Sequence, residues 1–382
     1  MPLFTAEIAT AKEPTLPSAV DSPFSPPAPA RGAWRSRGPG SVAWAAVVAG
    51  MVASTGLVTS PVAAVTTSKA LGRAGPAPGT IFIANAGADA FAAAGTGPGS
   101  VTLYRPGARG NARPEAVLTV GIDGPAGVAT DSSGDLWVAN DDSVSAQFAD
   151  VPGTVVEYGK SELADASPVP TVTIKVPHSP LEIAFDPSGD LWLDYRQANT
   201  VVELAKAQLA RSGSPEPRVS LRVNPDDCGV AFDPSGNLWV GSDEDWLSEW
   251  AKAELTKSGA PAPQVTISSD TLAAPCRPTF DSLGNLWVGS YDGSNAVEFT
   301  KAELVKSGSQ APRVNNDSMS LFRPGQLAVS ASGSLWVPNA EANTVVEFAR
   351  RQLVKSGFPS PVVTIAGPAA GLNWPLAVAI EP

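Results

Sequence analysis

Histidine and cysteine are scarce in this sequence, which has one histidine, His178, and two cysteines, Cys228 and Cys276. Two cysteines exclude a disulfide-rich scaffold and a four-cysteine zinc site. One histidine excludes a metal site built from a histidine pair. Charged residues are also few, at 16%, whereas hydrophobic residues reach 43%. The composition therefore predicts neither a long coiled coil, which needs many charges, nor a wholly disordered chain, which needs low hydrophobicity.

Basic residues are fewer than acidic residues, 26 against 37, and the formal net charge is −11 at pH 7. Long-range electrostatics of this sign repel phosphate backbones and anionic membrane surfaces. No cluster of lysine and arginine offsets that repulsion. We therefore expect no nucleic-acid partner.

The N-terminal part of the chain divides into three segments before the repeats begin. Residues 1–40 are rich in proline, alanine and serine, show no periodicity and are predicted to be a disordered leader. A basic stretch precedes residues 41–64, which consist of an apolar run and then small residues. This is the order of an export signal, and cleavage is predicted after Ala64. An uncleaved anchor is the alternative, because about 18 apolar residues just span a bilayer. Residues 65–78 are a linker.

Both alternatives place the rest of the chain outside the cytoplasm. In the anchored alternative, the arginines before the apolar run keep the N-terminus inside. We therefore expect a secreted or cell-surface protein. The membrane is a partner only if the apolar segment stays uncleaved.

From residue 80 onward the chain repeats one unit of about 50 residues. Each unit contains a short apolar run, in five cases centred on tryptophan, and the central residues are Phe82, Trp137, Trp192, Trp239, Trp287 and Trp336. A fixed period of this length indicates a repeat architecture.

Each unit is predicted to contain four short strands bounded by Gly, Pro and Asn turns, which is typical of antiparallel sheet. In several units a short helical insert ending in Ser-Gly precedes the fourth strand. Radial repetition of such units predicts an all-β fold, a six-bladed β-propeller of four-stranded antiparallel blades over residues 79–382. The first unit lacks one strand and residues 375–382 match it, so we expect the C-terminal strand to complete the first blade and close the ring.

The sequence of residues 229–240, Gly-Val-Ala-Phe-Asp-Pro-Ser-Gly-Asn-Leu-Trp-Val, resembles an NHL-type repeat, and the resemblance extends over about residues 79–382. The units are also similar to those of streptogramin-lyase and gluconolactonase-type propellers. This resemblance implies the propeller fold and leaves the activity open, because one scaffold hosts many functions. The helical insert departs from a plain NHL unit.

Residues that recur in nearly every blade are expected to hold the blades together, as we predict for the tryptophans. Function is expected where the repeats differ, at the channel mouth, where loops enter the innermost strands and leave the tryptophan strands. At one position of the inner strand the six units carry Gly127, Glu182, Gly229, Arg277, Gln326 and Ala377. Glu182, Arg277 and Gln326 are therefore candidate ligand-binding residues, and the alternative is that they merely hydrate the channel.

Two further groups of loop residues break the repeat near the same face. Trp246 and Tyr291 are candidates for an aromatic platform that binds a sugar or peptide, or they cover a blade edge. Four carboxylates are candidate ligands for a divalent cation such as calcium, which favours clustered oxygen ligands. Their spacing matches no calcium-loop motif, so solvated loop charge is the alternative for Asp226, Asp227, Asp243 and Asp245.

The scarce residues complete the set of candidates. His178 precedes an inner strand and could be a general base, although no nucleophile motif accompanies it. If the protein is an enzyme, His178 and Glu182 are the candidate catalytic residues. Cys228 and Cys276 occupy equivalent positions in adjacent blades. A disulfide and two free thiols are both compatible with the sequence, because the spacing of adjacent inner strands lies near the limit for the bond.

The function predicted from the sequence is that of an exported, non-catalytic binding module. Its expected partner is a protein, peptide or glycan at the channel mouth, it needs no cofactor, and it is expected to be a monomer. The alternative is a metal-dependent lactonase or a streptogramin-lyase-like enzyme that uses the same mouth.

Overall fold

The computed structural model describes most of the chain, namely residues 75–87, 99–141, 151–224 and 226–382. The predicted leader, residues 1–40, the predicted signal or anchor, residues 41–64, and most of the linker lie outside the described residues. Internal contacts divide the chain into Met1–Ala63 and Ala64–Pro382, and every described element belongs to the second unit.

Six antiparallel sheets, which we call blades, account for the strands of the described residues. Blade one contains β1 (Ile81–Asn85), β2 (Ser100–Tyr104) and β3 (Ala116–Leu118). Blade two contains β4 (Pro125–Thr130), β5 (Leu136–Asn140), β6 (Gly153–Tyr158) and β7 (Val172–Val176). Blade three contains β8 (Glu182–Phe185), β9 (Leu191–Tyr195), β10 (Thr200–Leu204) and β11 (Val219–Arg222).

The second half of the ring repeats this order. Blade four contains β12 (Asp227–Phe232), β13 (Leu238–Ser242), β14 (Trp246–Trp250) and β15 (Val265–Ser268). Blade five contains β16 (Thr279–Phe280), β17 (Leu286–Ser290), β18 (Asn295–Phe299) and β20 (Val314–Asn316). The two-residue β19 (Gly308–Ser309) precedes β20 in the chain and pairs parallel with β15 of blade four. Blade six contains β21 (Ala328–Val329), β22 (Leu335–Asn339), β23 (Thr344–Phe348) and β24 (Val363–Ile365).

The last strand, β25 (Pro375–Ile380), closes the ring as the sequence predicts. It pairs antiparallel with β1, so that Ile380 lies opposite Ile81 and Ala377 opposite Ala84. Blade one is thus built from both ends of the repeat region, in the order β25-β1-β2-β3. The inner strands of successive blades contact one another all the way round the ring. Closure of this kind leaves no blade without a neighbour, and the predicted fold class is confirmed.

The repeated tryptophans pack between blades, which is the structural role predicted for them. The ring of Trp192 lies 5.5 Å from that of Phe232 in the inner strand of the next blade, and Trp239 lies 6.2 Å from Phe280 in the same way. Each indole therefore buries a large apolar area against its neighbour. Six clusters of buried side chains of this kind fill the spaces between the blades of the described chain.

Tight turns join each inner strand to its tryptophan strand, and aspartate opens most of them. In the turn of blade three, Asp186 Oδ1 accepts hydrogen bonds from Ser188 N at 2.7 Å and from Asp190 N at 3.1 Å. Gly189 supplies the positive φ, +82°, that the turn requires. This aspartate therefore accepts the hydrogen bonds that close the turn.

The helical inserts are short, and all six helices of the described residues are three-residue 3-10 turns. Within the part of the chain that the structure describes, none of them has the length and apolarity that crossing a membrane requires.

The Ser-Gly pairs that end the inserts have a role that the sequence analysis did not predict. In blade four, Ser258 and Gly259 reach the outer strand of blade three: Ser220 N donates to Ser258 Oγ at 3.0 Å and Gly259 N donates to Ser220 O at 3.0 Å. Arg222 N completes the contact by donating to Gly259 O at 2.8 Å. We call this contact a clasp. Further clasps are made by Ser212-Gly213, Ser307-Gly308 and Ser356-Gly357.

Candidate functional site

Three side chains at the predicted channel position cross the channel and block it. Gln326 of blade six bonds to blade two, accepting from Val128 N at 3.2 Å and donating to Val128 O at 3.0 Å. Arg277 of blade five donates a hydrogen bond to Ala126 O, also in blade two. Its Nε lies 3.9 Å from Glu182 Oε2 of blade three. The structure therefore brings Glu182, Arg277 and Gln326 together as a plug across the channel.

Small residues in the other blades leave room for this plug. A Cβ atom at Gly229 would lie 2.6 Å from the backbone of Arg277 and 2.6 Å from Glu182 Oε2. The φ of Gly229, +73°, also disfavours a side chain. The glycine of blade four thus permits the close approach of blades three and five. A larger residue at this position would displace the plug.

Above the plug, the channel mouth forms a cavity of about 420 Å³. Its polar lining includes three of the predicted candidates, Arg277, Asp243 and Tyr291. It also includes charged residues that were not predicted from the sequence, namely Asp141, Arg196, Asp292 and Arg323. Below the plug, Glu182 and Gln326 line a second space of about 310 Å³ between the inner strands. The plug therefore separates the mouth cavity from the lower part of the channel.

A repeat position explains the residues that were missed. The residue directly after each tryptophan strand, or after β1 in blade one, differs from blade to blade, as Ala86, Asp141, Arg196, Asp243, Tyr291 and Ala340. The four of these residues that are not alanine line the mouth. Two of these were noticed in other contexts, and aligning all six copies at this position would have identified Asp141 and Arg196 as well. Arg323 lies in a loop before an inner strand, and no repeat signal marks it.

The charged groups of the mouth are paired across blades. Arg196 of blade three forms an ion pair with Asp243 of blade four. The Arg323 guanidinium lies 5.2 Å from the centre of the Tyr291 ring and its Nε lies 3.7 Å from Glu341 Oε2. Both guanidinium groups are partly exposed. The mouth consequently offers cations, carboxylates and an aromatic ring to a ligand within one cavity.

Two buried carboxylates lie at the base of this mouth. Asp194, in the tryptophan strand of blade three, is opposite Glu182 in the register of β9 and β8. Its Oδ2 accepts from Gly229 N at 2.7 Å, whereas its Oδ1 has no hydrogen-bond partner. Burial raises the pKa of Asp194 to about 7, against the lowering effects of the Gly229 N–H, Arg196 and Arg277. Burial likewise raises the pKa of Glu182 well above its usual range, although Arg277 opposes the shift.

Asp194 also breaks the repeat, which is the signal that the sequence analysis passed over. The equivalent residues of the other blades are small or apolar, namely Ala84, Ala139, Gly241, Gly289 and Pro338. A carboxylate in a fully buried position of this kind requires a compensating environment. The arginines of blades three and five supply it.

The raised pKa of Asp194 predicts that stability falls as the pH rises. An unfolded aspartate ionises near pH 4, but the folded form stays protonated up to about pH 7. The stabilising contribution is therefore complete below about pH 4 and is lost as the pH rises through about 7. We expect Asp194→Asn to lose less stability than the wild type between pH 5 and 8, as measured by urea unfolding. The asparagine can still accept the Gly229 N–H. An equal pH dependence in both proteins would contradict the assignment.

The predicted cation ligands do not share a common point in the structure. Asp227 is buried, and its oxygens accept from Asn224 N at 2.8 Å and from Trp246 Nε1 at 3.4 Å. Asp243 pairs with Arg196, while Asp226 and Asp245 are exposed. These contacts do not favour a cation between the four residues, and the divalent-cation hypothesis stays a prediction.

Two groups of potential metal ligands do lie close together in the described chain. One contains both cysteines and Asp243, and the other contains Asp186, Asp190 and Glu203. The cysteines are joined to each other, and Arg218 binds Asp190 and Glu203. Neither arrangement therefore points to a cation.

The remaining candidates lie at the edge of the site. Trp246 is half-buried, donates to Asp227 and does not line the mouth cavity, so the structure does not bring it together with Tyr291. His178 is also absent from the lining, and its ring lies 5.2 Å from that of Tyr195.

Cys228 and Cys276 form a disulfide between the inner strand of blade four and the loop that enters blade five. Their Cα atoms are 5.2 Å apart. The sequence alone did not decide between this bond and two free thiols, because the spacing of adjacent inner strands lies near the limit for a disulfide. The glycine-assisted approach of the two blades at Gly229 brings the cysteines close enough. Cys276 lines the mouth cavity, so the disulfide is part of its wall.

Comparison with known proteins finds similar folds among solved structures. Neither a protein-family model nor a curated protein matches the sequence. Among solved structures, a protein of unknown function from Bacteroides caccae is 11% identical, with a TM-score of 0.53 over 80% of this chain and 99% of that one. A nidogen/laminin complex structure is 14% identical, with a TM-score of 0.51 over 80% and 99%. A streptogramin B lyase is 15% identical, with a TM-score of 0.45 over 66% and 72%.

The chain is a six-bladed β-propeller. Its neighbours in structure include both binding proteins and enzymes, and identities this low show the fold alone. The function therefore has to be argued from the mouth of this propeller itself.

Proposed function

We propose that this propeller is an exported binding module that holds a protein, peptide or glycan ligand at the channel mouth. The observation that carries the proposal is the mouth cavity above a blocked channel. It is lined by residues from several blades at positions where the repeats differ. Repeated positions build the scaffold, so the differing ones are free to serve a ligand.

The dimensions and chemistry of the mouth support this proposal. Its volume of about 420 Å³ lies within the usual range of ligand pockets, roughly 300–1,000 Å³. Such a cavity accommodates a short protruding segment of a partner. Arg196 and Arg323 suit carboxylate or hydroxyl oxygens, and the Tyr291 ring suits the face of a sugar or an aliphatic side chain.

Binding to peptide and glycan arrays tests the proposal, with affinity then measured for the best ligand. We expect Arg323→Ala to weaken that affinity by about 10-fold or more, because a hydrogen bond to a charged group contributes roughly 1.5–3 kcal/mol. Arg211→Ala is the matched control, since Arg211 is exposed on the insert of blade three. Equal affinity of both variants and the wild type, or no ligand on either array, would contradict the proposal.

Export belongs to the same proposal and rests on the segment order of residues 41–64. The predicted cleavage after Ala64 leaves Val65 as the first residue. Mass spectrometry of the protein recovered outside the cells tests it. A chain that stays in the membrane fraction with residues 41–64 intact would support the anchored alternative instead.

A second candidate function is an enzyme at the same mouth, and the buried carboxylates favour it. A carboxyl group with a pKa of about 7 beside arginines is suited to general acid–base catalysis. Turnover of lactones or streptogramins that is abolished by Glu182→Gln or His178→Ala would replace the binding proposal. The metal-dependent form of this alternative also requires a bound divalent ion, and elemental analysis with melting scans in chelator tests that requirement.

A further inference from the structure

The outer strand of blade one differs from the other five outer strands because no described residue of a neighbouring blade forms a hydrogen bond with its outer edge. Blades two to five receive the Ser-Gly clasps, and β24 of blade six is covered by Gly110, whose N–H donates to Thr364 O at 2.6 Å. The insert that should cover β3 belongs to blade two. It runs from Lys160 to Val172 and is one residue shorter than the insert from Lys252 to Val265. It lacks the Ser-Gly pair, so no described residue bonds to the outer edge of β3.

The register identifies the backbone groups that this edge leaves open. Glu115 N donates to Leu103 O at 2.8 Å, as Thr171 N donates to Glu157 O at 2.8 Å in blade two. Val117 therefore occupies the place of Thr173. In blade two, Thr173 donates to Ser212 Oγ and accepts from Gly213 N. By the same geometry, the N–H and C=O of Val117 and the N–H of Thr119 face away from the blade.

The side chain at this position also departs from the repeat. The other five outer strands carry a half-buried polar residue there, Thr173, Ser220, Thr266, Asn315 and Thr364. Blade one carries Val117, which is 46% exposed, and Val120 nearby is 50% exposed. An open strand edge with apolar side chains readily pairs with another strand. The edge of β3 therefore has both the hydrogen-bonding groups and the apolar surface of a strand-binding site.

We propose that the segment formed by residues 65–74 of this chain, which we call the arm, pairs with the open edge of β3. The described chain begins at Gly75, which packs on Lys160 at the start of the short insert: a Cβ there would lie 2.5 Å from Lys160 O. The same insert packs on blade one through Leu163, which shares a core cluster with Ala116 and Leu118. Gly75, the residue that follows the arm in the chain, thus lies beside the insert that should have covered this edge.

The arm has the length and the composition that this pairing requires. Ten extended residues reach up to about 33 Å, which exceeds the width of several strands at roughly 4.8 Å each. Val65, Thr66 and Thr67 are β-branched residues, which favour strands. Pairing would supply the missing backbone partners of Val117 and Thr119 and cover the Val117 side chain.

Amide hydrogen exchange of the isolated protein, followed by mass spectrometry of the peptide that contains residues 115–120, tests the proposal. We expect the Val117 and Thr119 amides to exchange at least ~10-fold more slowly than in a Thr66→Pro, Thr67→Pro double variant, because prolines in the arm remove its donors. The paired substitutions Thr66→Val and Thr67→Val are the matched control, because valine keeps the backbone donors and the β-branched side chains, and they should leave this exchange as slow as in the wild type. The clasped amide of Arg222 is an internal reference that should not respond.

Three outcomes would overturn the proposal. Rapid exchange of Val117 and Thr119 in both proteins would show an open edge. Slow exchange in both would show that another segment covers the edge. Protection that rises with protein concentration and survives the double substitution would identify a second copy as the occupant. The double variant changes only the arm, so a folded ring is expected in every case.

Discussion

Replacing Arg277 by alanine is expected to lower the free energy of unfolding by about 3–5 kcal/mol, the usual cost of removing one partner of a buried ion pair. Arg277 is almost fully buried and lies beside Glu182, whose Oε2 has no hydrogen-bond partner. The substitution leaves that carboxyl without a cation and removes the hydrogen bond to Ala126 O across the channel. Urea unfolding at pH 7 measures the loss.

Two further variants separate the charge effect from the loss of packing. Arg323→Ala is the matched control, because Arg323 lies partly exposed at the rim, where ion pairs contribute about 1 kcal/mol or less. Glu182→Gln in the Arg277→Ala background replaces the carboxyl group that has lost its cation by a neutral amide and should restore part of the stability, so the two effects are non-additive. If Arg277→Ala lowers the free energy of unfolding by no more than Arg323→Ala does, the plug does not stabilise the ring.

Removing the disulfide with Cys228→Ala and Cys276→Ala is expected to cost about 4 kcal/mol. The bond joins residues separated by 48 positions, and closing a loop of that length in the unfolded chain restricts its entropy by about this amount. Since the two cysteines link adjacent blades at the wall of the mouth, we expect weaker ligand binding as well. Thermal or urea unfolding measures the loss.

Reduction of the wild type provides the control for this prediction. A reductant should shift the wild-type unfolding transition towards that of the double variant and should not affect the variant itself. Alkylation and mass spectrometry under non-reducing conditions should find no free thiol. Two alkylated cysteines in the native protein, or a wild-type unfolding transition that does not shift when reductant is added, would contradict the presence of the bond.

The blades and the closure of the ring were predicted from local patterns. Short apolar strands, tight turns that aspartate opens in most blades and a tryptophan in five of the six following strands specify a blade almost independently of the rest. The C-terminal residues 375–382 match the strand missing from the first unit, and β25 occupies that place. These features are readable because each depends on neighbours within about 50 residues.

The candidate site was only partly predicted, and the misses share a physical cause. Glu182, Arg277 and Gln326 were found because they break the repeat at one inner-strand position. Their partners could not be read in the same way: the two backbone groups that Arg277 and Gln326 bond, Ala126 O and Val128, lie 151 and 198 residues away in sequence. Asp194 and Arg196 also break the repeat, at positions that were not compared.

The sequence by itself therefore determined the number, order and closure of the blades, because turn chemistry and strand patterning act locally and recur in each unit. Only the tertiary structure decided that the channel is blocked, that the Ser-Gly pairs join neighbouring blades and that β3 has an open edge. Each of these depends on groups from different blades meeting across short distances. The shorter insert of blade two leaves a strand uncovered only because the folded chain packs that insert against the neighbouring blade.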